Sequence, residues 1–416
     1  MENKGKQWVL LAAGSKDWEN YRHQADVCHA YQVVHRNGIP DEQIVVMMYD
    51  DIAYNPLNPV LGNIINERDG PNVYLGVPKD YTGKDVSADN FLAILSGNEP
   101  AVKNTGPKKV IQSGENDTIF IYLVDHGGQG VFHFPDSTLH AHDLIKTVHE
   151  MVMDHKFSKM VIYIEACHSG SMLEELADSN VYAVSACRPD ESSYAFLYDK
   201  IRYCYLADVF SYYWLWSIDN GKRTSTTFGD QFSYLLANVP KAVRKKEQTP
   251  CNYGDKSILD LMLSRFLGKS SASVSQTYMS QPLNVSDMSD VVDTTDVPLI
   301  IQENRIKNEQ DPEKKQALKR EYDDLIRKRK TVDEALQKIA ELTNTLGALT
   351  EKREVSRTYE LKVIAEHFRE NLFDWHKEPY VVTRPHFQIL VNLCESGLDV
   401  DSIIEAITDV SSKINF

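Results

Sequence analysis

Two reactive side chains, a cysteine and a histidine, follow buried-strand patterns in this sequence. Met160–Ile164 is a short apolar run rich in β-branched and aromatic residues, and Cys167 comes shortly after it. Thr118–Val124 is a second run of this kind, and His126 lies two residues beyond its end. Such runs are typical of strands buried on both faces of a parallel sheet, whose carboxyl ends carry the chemistry. If the two strands are neighbours, we expect the imidazole and the thiol to face one crevice.

A cysteine and a histidine in this arrangement can perform nucleophilic catalysis. The thiolate is the nucleophile, and a nearby imidazole lowers the pKa of the thiol or accepts its proton. The glycines after His126 leave room for a substrate backbone, and the N–H groups of Gly127 and Cys167 are candidates for an oxyanion hole. Considered without the histidine, Cys167 would be interpreted as an inert buried cysteine, because buried cysteines are more common than nucleophilic ones. The histidine at the end of the other strand favours the catalytic interpretation.

The elements that must position this pair alternate along the chain. Apolar runs predict five strands, at Gln7–Ala13, Ile44–Tyr49, Thr118–Val124, Met160–Ile164 and Val181–Ser185. Other patterns predict helices at Trp18–His35, Asn90–Leu95 and His142–Asp154, with a loop-rich region from Asp50 to Gly114. This alternation predicts the α/β class, with a mostly parallel sheet flanked by helices.

The chain changes character after Leu267, and we divide it into residues 1–268, 269–311 and 312–416. The first is the α/β domain. Within the second, Ser270–Asp296 is rich in Ser, Thr, Val and Asp, which predicts an exposed linker. The third begins with a long amphipathic helix from Pro312, predicted by a seven-residue pattern of Leu318, Tyr322, Leu325, Val332, Leu336, Ile339 and Leu346. The segment from Tyr359 to Phe416 predicts further helices, so this region is a small all-helical domain.

Charge and cysteine usage exclude several classes of protein. The formal net charge of −15 disfavours a nucleic-acid partner. The long helix nevertheless carries basic residues, which form either a solvated face or a surface that docks onto the acidic α/β domain; they are Arg327, Lys328, Arg329 and Lys330.

The six cysteines have no CxxC spacing and predict neither a zinc ribbon nor a dense disulfide framework. No run reaches the roughly eighteen apolar residues of a membrane span, and no signal-peptide core precedes the first strand.

Long blocks around the two candidate residues carry a family resemblance. LVDHGGQG and IEACHSGSM resemble the caspase-like cysteine peptidase clan, and specifically the legumain (asparaginyl endopeptidase) family. The likeness extends through WENYRHQADVCHAYQVVHRNGIPDEQIVVMMYDD, GVPKDYTG and CRPDESSYAFLYD, and the region from FDWH to LVNLCE is similar to the legumain prodomain. The resemblance implies a caspase-like fold and a zymogen whose C-terminal prodomain inhibits cleavage after asparagine, or after aspartate at acidic pH. It also implies lysosomal or vacuolar localisation, or secretion, with peptide substrates and no cofactor.

The resemblance also assigns roles to individual residues. Cys167 is the expected nucleophile, His126 its general base, and Asn20 the residue that orients the histidine, although an asparagine there could equally cap a helix. Arg22 and Asp208 match the family's pocket for the substrate residue before the cut (P1), and the neighbouring polar positions are His23 and Ser193. An asparagine side chain presents an acceptor beside a donor, so a cation facing a carboxylate suits it. The alternative interpretation of Arg22 and Asp208 is a surface salt bridge, which is the usual role of an isolated arginine and aspartate.

Two further positions near the nucleophile carry family implications. His168 stands where legumains usually have glutamate, and its side chain could stabilise a thiolate, weaken the acidity of the pocket wall or point to solvent. Asp125 matches an aspartate that forms a succinimide in the family. Paired prodomain cysteines, which are usual in legumains, are reduced here to Cys394.

The segment before the long helix resembles the family's processing region. Asn308 falls at the position of the processed asparagine, and Asn304 is the alternative. Our hypothesis is that basic residues such as Arg327 and Arg329 hold the prodomain on acidic groups of the catalytic domain. Acidification would then protonate those carboxylates and weaken the contact. The alternative is a permanent second domain with no inhibitory role.

Three rival interpretations need consideration. A histidine-dense stretch could hold zinc, with Cys167 and His168 as further ligands, but it lacks metal-binding spacing and we expect no metal; its members are His126, His133, His140, His142, His149 and His155. The catalytic subunit of the glycosylphosphatidylinositol transamidase shares the His and Cys blocks but normally has a membrane segment. A catalytically silent, protease-like binding module is the third, and the intact Cys167 and His126 argue against it.

Overall fold

The computed structural model describes residues 5–104, 106–177, 179–220, 225–244, 246–269 and 289–414. Its strands are β1 (Gln7–Ala13), β2 (Ile44–Met47), β3 (Thr118–Val124), β4 (Gly127–Gly128), β5 (Val131–His133), β6 (Thr138–His140), β7 (Lys159–Glu165), β8 (Val181–Ser185), β9 (Tyr194–Asp199), β10 (Cys204–Asp208), β11 (Cys251–Gly254) and β12 (Val292–Asp293). Its α-helices are α1 (Tyr21–Arg36), α2 (Ala88–Leu95), α3 (Ala141–Met153), α4 (Val209–Asn220), α5 (Phe228–Ala242), α6 (Ser264–Leu267), α7 (Val297–Asn308), α8 (Pro312–Leu342), α9 (Thr358–Asn371), α10 (Arg384–Cys394) and α11 (Val400–Ser411).

A six-stranded sheet in the order β11-β8-β7-β3-β1-β2 forms the centre of the α/β domain. Every pairing in it is parallel except that of the edge strand β11 with β8. Apolar residues of both sheet faces are buried, because helices cover each side in two separate hydrophobic clusters. The predicted class, a mostly parallel sheet flanked by helices, is therefore confirmed.

The predicted strands and helices of this domain are present with small changes at their ends. Three of the predicted strands have the observed bounds, and each is a continuous apolar run that two-sided burial requires. The second strand ends at Met47 rather than Tyr49. The helix predicted from Trp18 begins as a 3-10 turn at Trp18–Asn20 before α1 starts.

Two small antiparallel sheets surround the carboxyl end of the central sheet. Strands β4, β5 and β6 follow His126 directly, and β12 joins β9 and β10. The prediction of an exposed linker through Asp296 is wrong at its end, because Val292 and Asp293 pair with β9 and Thr294 is buried. The rest of that prediction, residues 270–288, lies outside the described residues. Helix α7 also occupies nearly all of the segment that resembles the family's processing region, Asp296–Asn308.

The C-terminal helices α8 to α11 pack around their own hydrophobic cluster. Helix α8 begins at Pro312, where the Asp311 carboxylate accepts hydrogen bonds from two backbone N–H groups of the first turn. The seven-residue pattern predicts this helix correctly as far as Leu342. Leu346 lies beyond the end of α8, in a separate 3-10 turn, so its place in the pattern is wrong. No helix among the described residues is long and apolar enough to cross a membrane.

The C-terminal helical domain packs directly against the hairpin that follows His126. A side chain at Gly128 would approach Phe387 of α10 to 2.7 Å, and one at Gly130 would approach Leu361 of α9 to 2.7 Å. Glycine suits both positions, because a Cβ at residue 128 would overlap the Phe387 side chain and because residue 130 has a left-handed backbone with φ of 71°. The hairpin residue Val131 belongs to the same hydrophobic cluster as the C-terminal helices.

Candidate active site

His126 and Cys167 are brought together by strand register. Strands β3 and β7 are neighbours, and Val124 pairs with Glu165 at the last position of each. Both candidate residues therefore stand two positions past the paired ends. They line one cavity of about 110 Å³ between the α/β domain and the C-terminal helices.

Asn20 fixes the orientation and the tautomer of His126. Its Oδ1 lies 2.7 Å from Nε2 of His126, while its Nδ2 donates to the Lys16 carbonyl at 2.8 Å and to the Tyr380 hydroxyl at 2.9 Å. Because Nδ2 is a donor only, Oδ1 faces the ring and Nε2 carries the proton. Nδ1 is then the basic nitrogen of His126. Although Asn20 precedes α1, its side chain makes no capping hydrogen bond.

Burial keeps both members of the pair uncharged in this structure. Burial is the main cause that lowers the pKa of His126 well below its ordinary value, and the positive charges of Arg22 and Arg329 act in the same direction. Burial also raises the pKa of the Cys167 thiol, as does the nearby Asp293. The arrangement therefore holds a neutral imidazole and a protonated thiol.

Cys167 has two serines beside its sulfur. Its Sγ lies 3.3 Å from Ser192 Oγ and 3.4 Å from Ser193 Oγ, and the backbone N–H of Ser193 points at it from 3.4 Å. These weak donors stabilise negative charge on sulfur and partly oppose the effect of burial on the pKa. The structure places Ser193 next to the nucleophile, and the Ser193 carbonyl accepts a 2.9 Å hydrogen bond from Thr294 Oγ1.

Gly127 lies against the turn that carries the nucleophile. A Cβ atom at Gly127 would come 2.6 Å from the carbonyl oxygen of Cys167, so only glycine fits there. The close approach brings the backbone of the histidine turn against that of the cysteine turn. The oxyanion hole formed by the N–H groups of Gly127 and Cys167 stays a prediction.

Arg22, His23 and Asp208 meet behind the cavity. Arg22 Nε donates to Asp208 Oδ1 at 3.0 Å, and His23 Nε2 lies 3.9 Å from Asp208 Oδ2. Arg22 and Asp208 are 0% and 1% exposed, so the pair is not the surface salt bridge of the alternative interpretation. Among the described residues, Arg22 Nη2 and Asp208 Oδ2 have no hydrogen-bond partner. Neither residue lines the cavity that His126 and Cys167 share.

His168 turns away from solvent. It is 1% exposed and has a left-handed backbone with φ of 55°, and its Nδ1 lies 2.5 Å from the Pro189 carbonyl. The option that it points to solvent is therefore wrong. Burial lowers its pKa to about 4, so the ring is neutral at higher pH and adds no positive charge beside the thiol. His168 is also absent from the cavity lining.

The C-terminal helical domain covers the cleft. Tyr380 has its ring centre 6.2 Å from that of His126, and Arg384 forms an ion pair of 3.3 Å with Asp293. Arg329 donates to the carbonyls of Tyr380 and Thr295, at 2.8 and 3.0 Å. We expected Arg327 to hold this contact as well, but it pairs with Asp324 on its own helix instead.

Ion pairs elsewhere join the two domains. Lys362 lies 2.7 Å from Asp143, and Glu366 lies 2.7 Å from His140 Nε2. The docking surface thus includes an acidic residue of the C-terminal domain, Glu366, as well as basic ones, so it is not formed only by basic residues meeting acidic groups of the α/β domain.

The expected processing positions lie on helix α7. Asn308 is the last residue of the helix and is exposed, whereas Asn304 is partly buried one turn earlier. The side-chain amide of each donates to the carbonyl four residues before it, at 2.7 Å for Asn308 and 2.9 Å for Asn304. A peptidase cleft binds extended chain, so a cut at Asn308 requires less unwinding than one at Asn304.

Of the histidine-dense stretch, only His126 belongs to a group of potential metal ligands among the described residues. The one group of three or more potential ligands within the described residues consists of His23, Asp125 and His126. Both histidine rings of this group already have hydrogen-bond partners: His23 Nδ1 lies 2.7 Å from Ser15 Oγ, and His126 Nε2 is bonded to Asn20. Asp125 is buried, and burial raises its pKa well above the ordinary value. Its succinimide role stays a prediction.

Three residues near the reacting groups were missed in the sequence. Tyr380, Arg384 and Ser192 all reach the site from loops or helix ends. Ser192 directly precedes Ser193, which the sequence did predict, so its position could have indicated it. Tyr380 and Arg384 have no local signal, because their contacts join segments more than 90 residues apart.

A cysteine and a histidine at neighbouring strand ends, with an asparagine on the ring, define a cysteine peptidase site. A sequence model of the Peptidase C13 family matches residues 7–269. Legumain of Homo sapiens is 42% identical over 400 residues, which cover 95% of this chain and 90% of that protein. The vacuolar-processing enzyme delta-isozyme of Arabidopsis thaliana is 35% identical over 431 residues, covering 98% and 91%. This chain therefore belongs to the Peptidase C13 family and is a cysteine peptidase, a hydrolase that acts on peptides.

Among solved structures, caspase-1 from Spodoptera frugiperda matches with a TM-score of 0.40 and 10% identity. The match covers 66% of this chain and 94% of that chain.

Proposed function

We propose that this peptidase cleaves after asparagine, and after aspartate only at acidic pH. The observation that supports this is the buried donor and acceptor left without partners, Arg22 Nη2 and Asp208 Oδ2. Unsatisfied buried polar atoms are costly, and an asparagine amide offers the acceptor and donor that would satisfy both. A P1 aspartate would be repelled by Asp208 while ionised and would resemble the amide once protonated.

The reaction proceeds through a thioester. Cys167 attacks the P1 carbonyl carbon while Nδ1 of His126 takes the thiol proton, and the N–H groups of Gly127 and Cys167 stabilise the oxyanion. The C–N bond then breaks, and His126 returns the proton to the leaving amine. Water attacks the thioester to release the acid, and an incoming amine in place of water would give ligation.

We further propose that the chain is a zymogen, with residues 312–416 as its inhibitory prodomain. Tyr380, Arg384 and Phe387 line the cavity that a substrate must enter. Burial also raises the pKa of Cys167 in the docked chain, although Arg384 of this domain acts in the opposite direction, so the docked chain holds a thiol rather than a thiolate. Cleavage after Asn308, with Asn304 as the alternative, would separate the domain from the peptidase. Such acid activation suits the lysosomal or vacuolar compartment that we infer, and secretion is the alternative location.

The test is a panel of fluorogenic peptides that differ only at P1, assayed after incubation at about pH 4–5, near ordinary carboxylate pKa values. We expect asparagine to exceed every other residue at pH 6, and aspartate to gain relative to it as the pH falls. The matched variant is Arg22→Lys, which keeps the charge but loses the planar fork. If lysine or arginine substrates are cleaved as fast as asparagine, the assignment of Arg22 and Asp208 is wrong.

A further inference from the structure

Three buried carboxyl groups lie together behind the proposed P1 pocket, and one of them, that of Asp208, is bonded to a guanidinium. Asp26 lies on α1, Glu165 ends β7 and Asp208 ends β10, and all three are at most 1% exposed. The cation among them is Arg22, whose Nε bonds Asp208. His23 adds no second positive charge, because burial and Arg22 lower its pKa well below the ordinary value. Three buried anions around one cation cannot all stay ionised.

The hydrogen bonds of these groups show where protons must be held. Asp26 Oδ1 accepts from Asn66 Nδ2 at 2.9 Å, and Asp208 Oδ1 accepts from Arg22. The Oδ2 atoms of both aspartates have no partner among the described residues. The two side chains are neighbours, because Asp26 lies one turn after Arg22 on α1 and because Asn66 also donates to the Leu206 carbonyl of β10, at 2.8 Å. Two carboxylates are both acceptors only, so they can bond each other only through a proton. One added proton bonds the two aspartates to each other, and because a carboxylate oxygen can accept two hydrogen bonds, Asp208 Oδ2 can still accept from the substrate amide.

Asp26 is the better holder of that proton. Asp208 faces Arg22, whereas the groups that face Asp26 are Asn66, Asp208, Glu165 and the Tyr122 phenol, none of them a cation. Burial and then Asp208 raise the pKa of Asp26 well above its ordinary value. Glu165 is protonated separately. Burial and Asp208 raise its pKa, and its Oε2 accepts from the N–H and hydroxyl of Ser211 at 2.8 and 3.1 Å.

We propose that Asp26 is a positioning residue for P1 selection, which stays protonated and donates to Asp208. The donated hydrogen bond keeps Asp208 ionised and aimed at both Arg22 and the substrate amide. Asp26 touches neither substrate nor the reacting atoms. The inference rests on the proposed preference for asparagine and gives a role to a residue that lies within the first family block but does not line the cavity.

Asparagine is the informative replacement, because its Oδ1 can accept from Asn66 while its Nδ2 donates to Asp208 without titrating. In acid-activated enzyme we expect Asp26→Asn to keep kcat/KM for P1 asparagine within about threefold of wild type. Asp26→Ala removes the hydrogen-bond donor to the charged Asp208. Its kcat/KM for P1 asparagine should therefore fall about tenfold or more, mainly through a higher KM, and it should discriminate less against P1 aspartate. Thermal melting and thiol titration of Cys167 confirm that each variant is folded with its nucleophile intact.

Infrared difference spectra give a readout that is independent of activity. Wild type minus Asp26→Asn should show one protonated-carboxyl band, unchanged across neutral pH. The absence of that band, or equal loss of P1 asparagine cleavage in folded Asp26→Asn and Asp26→Ala, would overturn the inference. If Asp26→Ala does not fold, the band and the Asp26→Asn kinetics decide alone. A wild-type enzyme that prefers a residue other than asparagine would refute the proposed function itself, whatever the variants do.

Discussion

The hydroxyl of Tyr380 lies 2.9 Å from Nδ2 of Asn20, so a residue 360 positions away bonds the side chain that orients His126. One asparagine thus serves two partners. Its oxygen holds the catalytic ring, and its nitrogen holds the domain that covers the cleft. The same side chain thus contributes to the peptidase site and to the contact through which, in our proposal, the C-terminal domain inhibits it.

We predict that Asn20→Ala lowers kcat of the activated enzyme by about 10²-fold, because the imidazole loses the acceptor that selects its tautomer. KM should change little, since Asn20 lies away from the proposed P1 pocket. Asn20→Asp restores the acceptor and adds a negative charge, which raises the pKa of His126. It should recover much of kcat and move the acidic limb of the kcat profile to higher pH. If wild type and Asn20→Ala have equal kcat, Asn20 does not orient the catalytic histidine.

Cys167→Ala should abolish cleavage, whereas Cys187→Ala and Cys204→Ala should largely retain it. Cys204 is buried in β10, and Cys187 lies behind the nucleophile, 3.3 Å from the Ala166 carbonyl. Activity is measured on a P1 asparagine peptide, and circular dichroism confirms folding. Loss of activity in a folded Cys204→Ala variant would contradict the assignment.

Arg384→Ala should raise cleavage by the intact chain at neutral pH by about tenfold, because it removes a partly buried ion pair that holds the covering domain. The matched control is Arg327→Ala. Arg327 pairs with Asp324 within α8, so its loss should leave that basal rate unchanged. If both variants behave alike, Arg384 does not hold the cleft closed.

Release at acidic pH should depend on buried histidines in the contact. Burial lowers the pKa of His376 to about 4 and that of His133 to about 3, against an ordinary value near 6.5. A group with a lowered pKa binds its proton more readily once undocked. Docking is therefore unaffected above about pH 6.5 and weakens as the pH falls towards 4.

Glu366 follows a different pH course. Burial alone would raise its pKa, but hydrogen bonds from His140 and Arg369 outweigh burial and hold it at about 2. The contribution of this carboxylate to docking is therefore complete above its ordinary pKa and is lost as the pH falls from about 4.5 towards 2. Carboxylate protonation, our initial hypothesis, thus acts on Glu366 at lower pH than histidine protonation acts on the contact.

His376→Gln can still bond Thr138 but does not titrate, so acid release should move to lower pH, by about half a unit. Trp375 reports release by fluorescence, because its Nε1 donates to Thr138 Oγ1 across the contact. Cys167→Ala should be the background, to exclude self-cleavage. His367→Gln is the control, since His367 bonds Thr408 within its own domain. Equal shifts in both variants would refute a role for His376.

Asn308→Gln should block the main processing cut at about pH 4–5, near ordinary carboxylate pKa values, and move cleavage to Asn304. Fragment masses identify the cut. Because Asn304 is a turn deeper in α7, its cleavage should be slower. Cys167→Ala should not process itself. A wild-type chain that stays intact yet fully active would refute the zymogen proposal, while cleavage at another residue would refute only Asn308.

Continuous apolar runs allowed the central sheet to be predicted from sequence, since strands such as Thr118–Val124 must be apolar on both faces. The His126 and Cys167 pair followed from those strand ends. The burial of His168 was not predictable, because it depends on a carbonyl 21 residues away. The strand at Val292 was missed because it is only two residues long and pairs with a segment nearly 100 positions earlier.

Helix α7 has its own attachment to the α/β domain. Val297 and Ile301 are buried with Ala195 and Tyr205, and Arg305 pairs with Glu19 at 2.7 Å. A cut after Asn308 would therefore leave α7 on the peptidase and sever only the connection to α8. Before the cut, that connection keeps the covering domain at a local concentration of about millimolar order, whatever the protein concentration. Afterwards the same contacts make a two-component complex, so its inhibition would disappear on dilution and return on mixing.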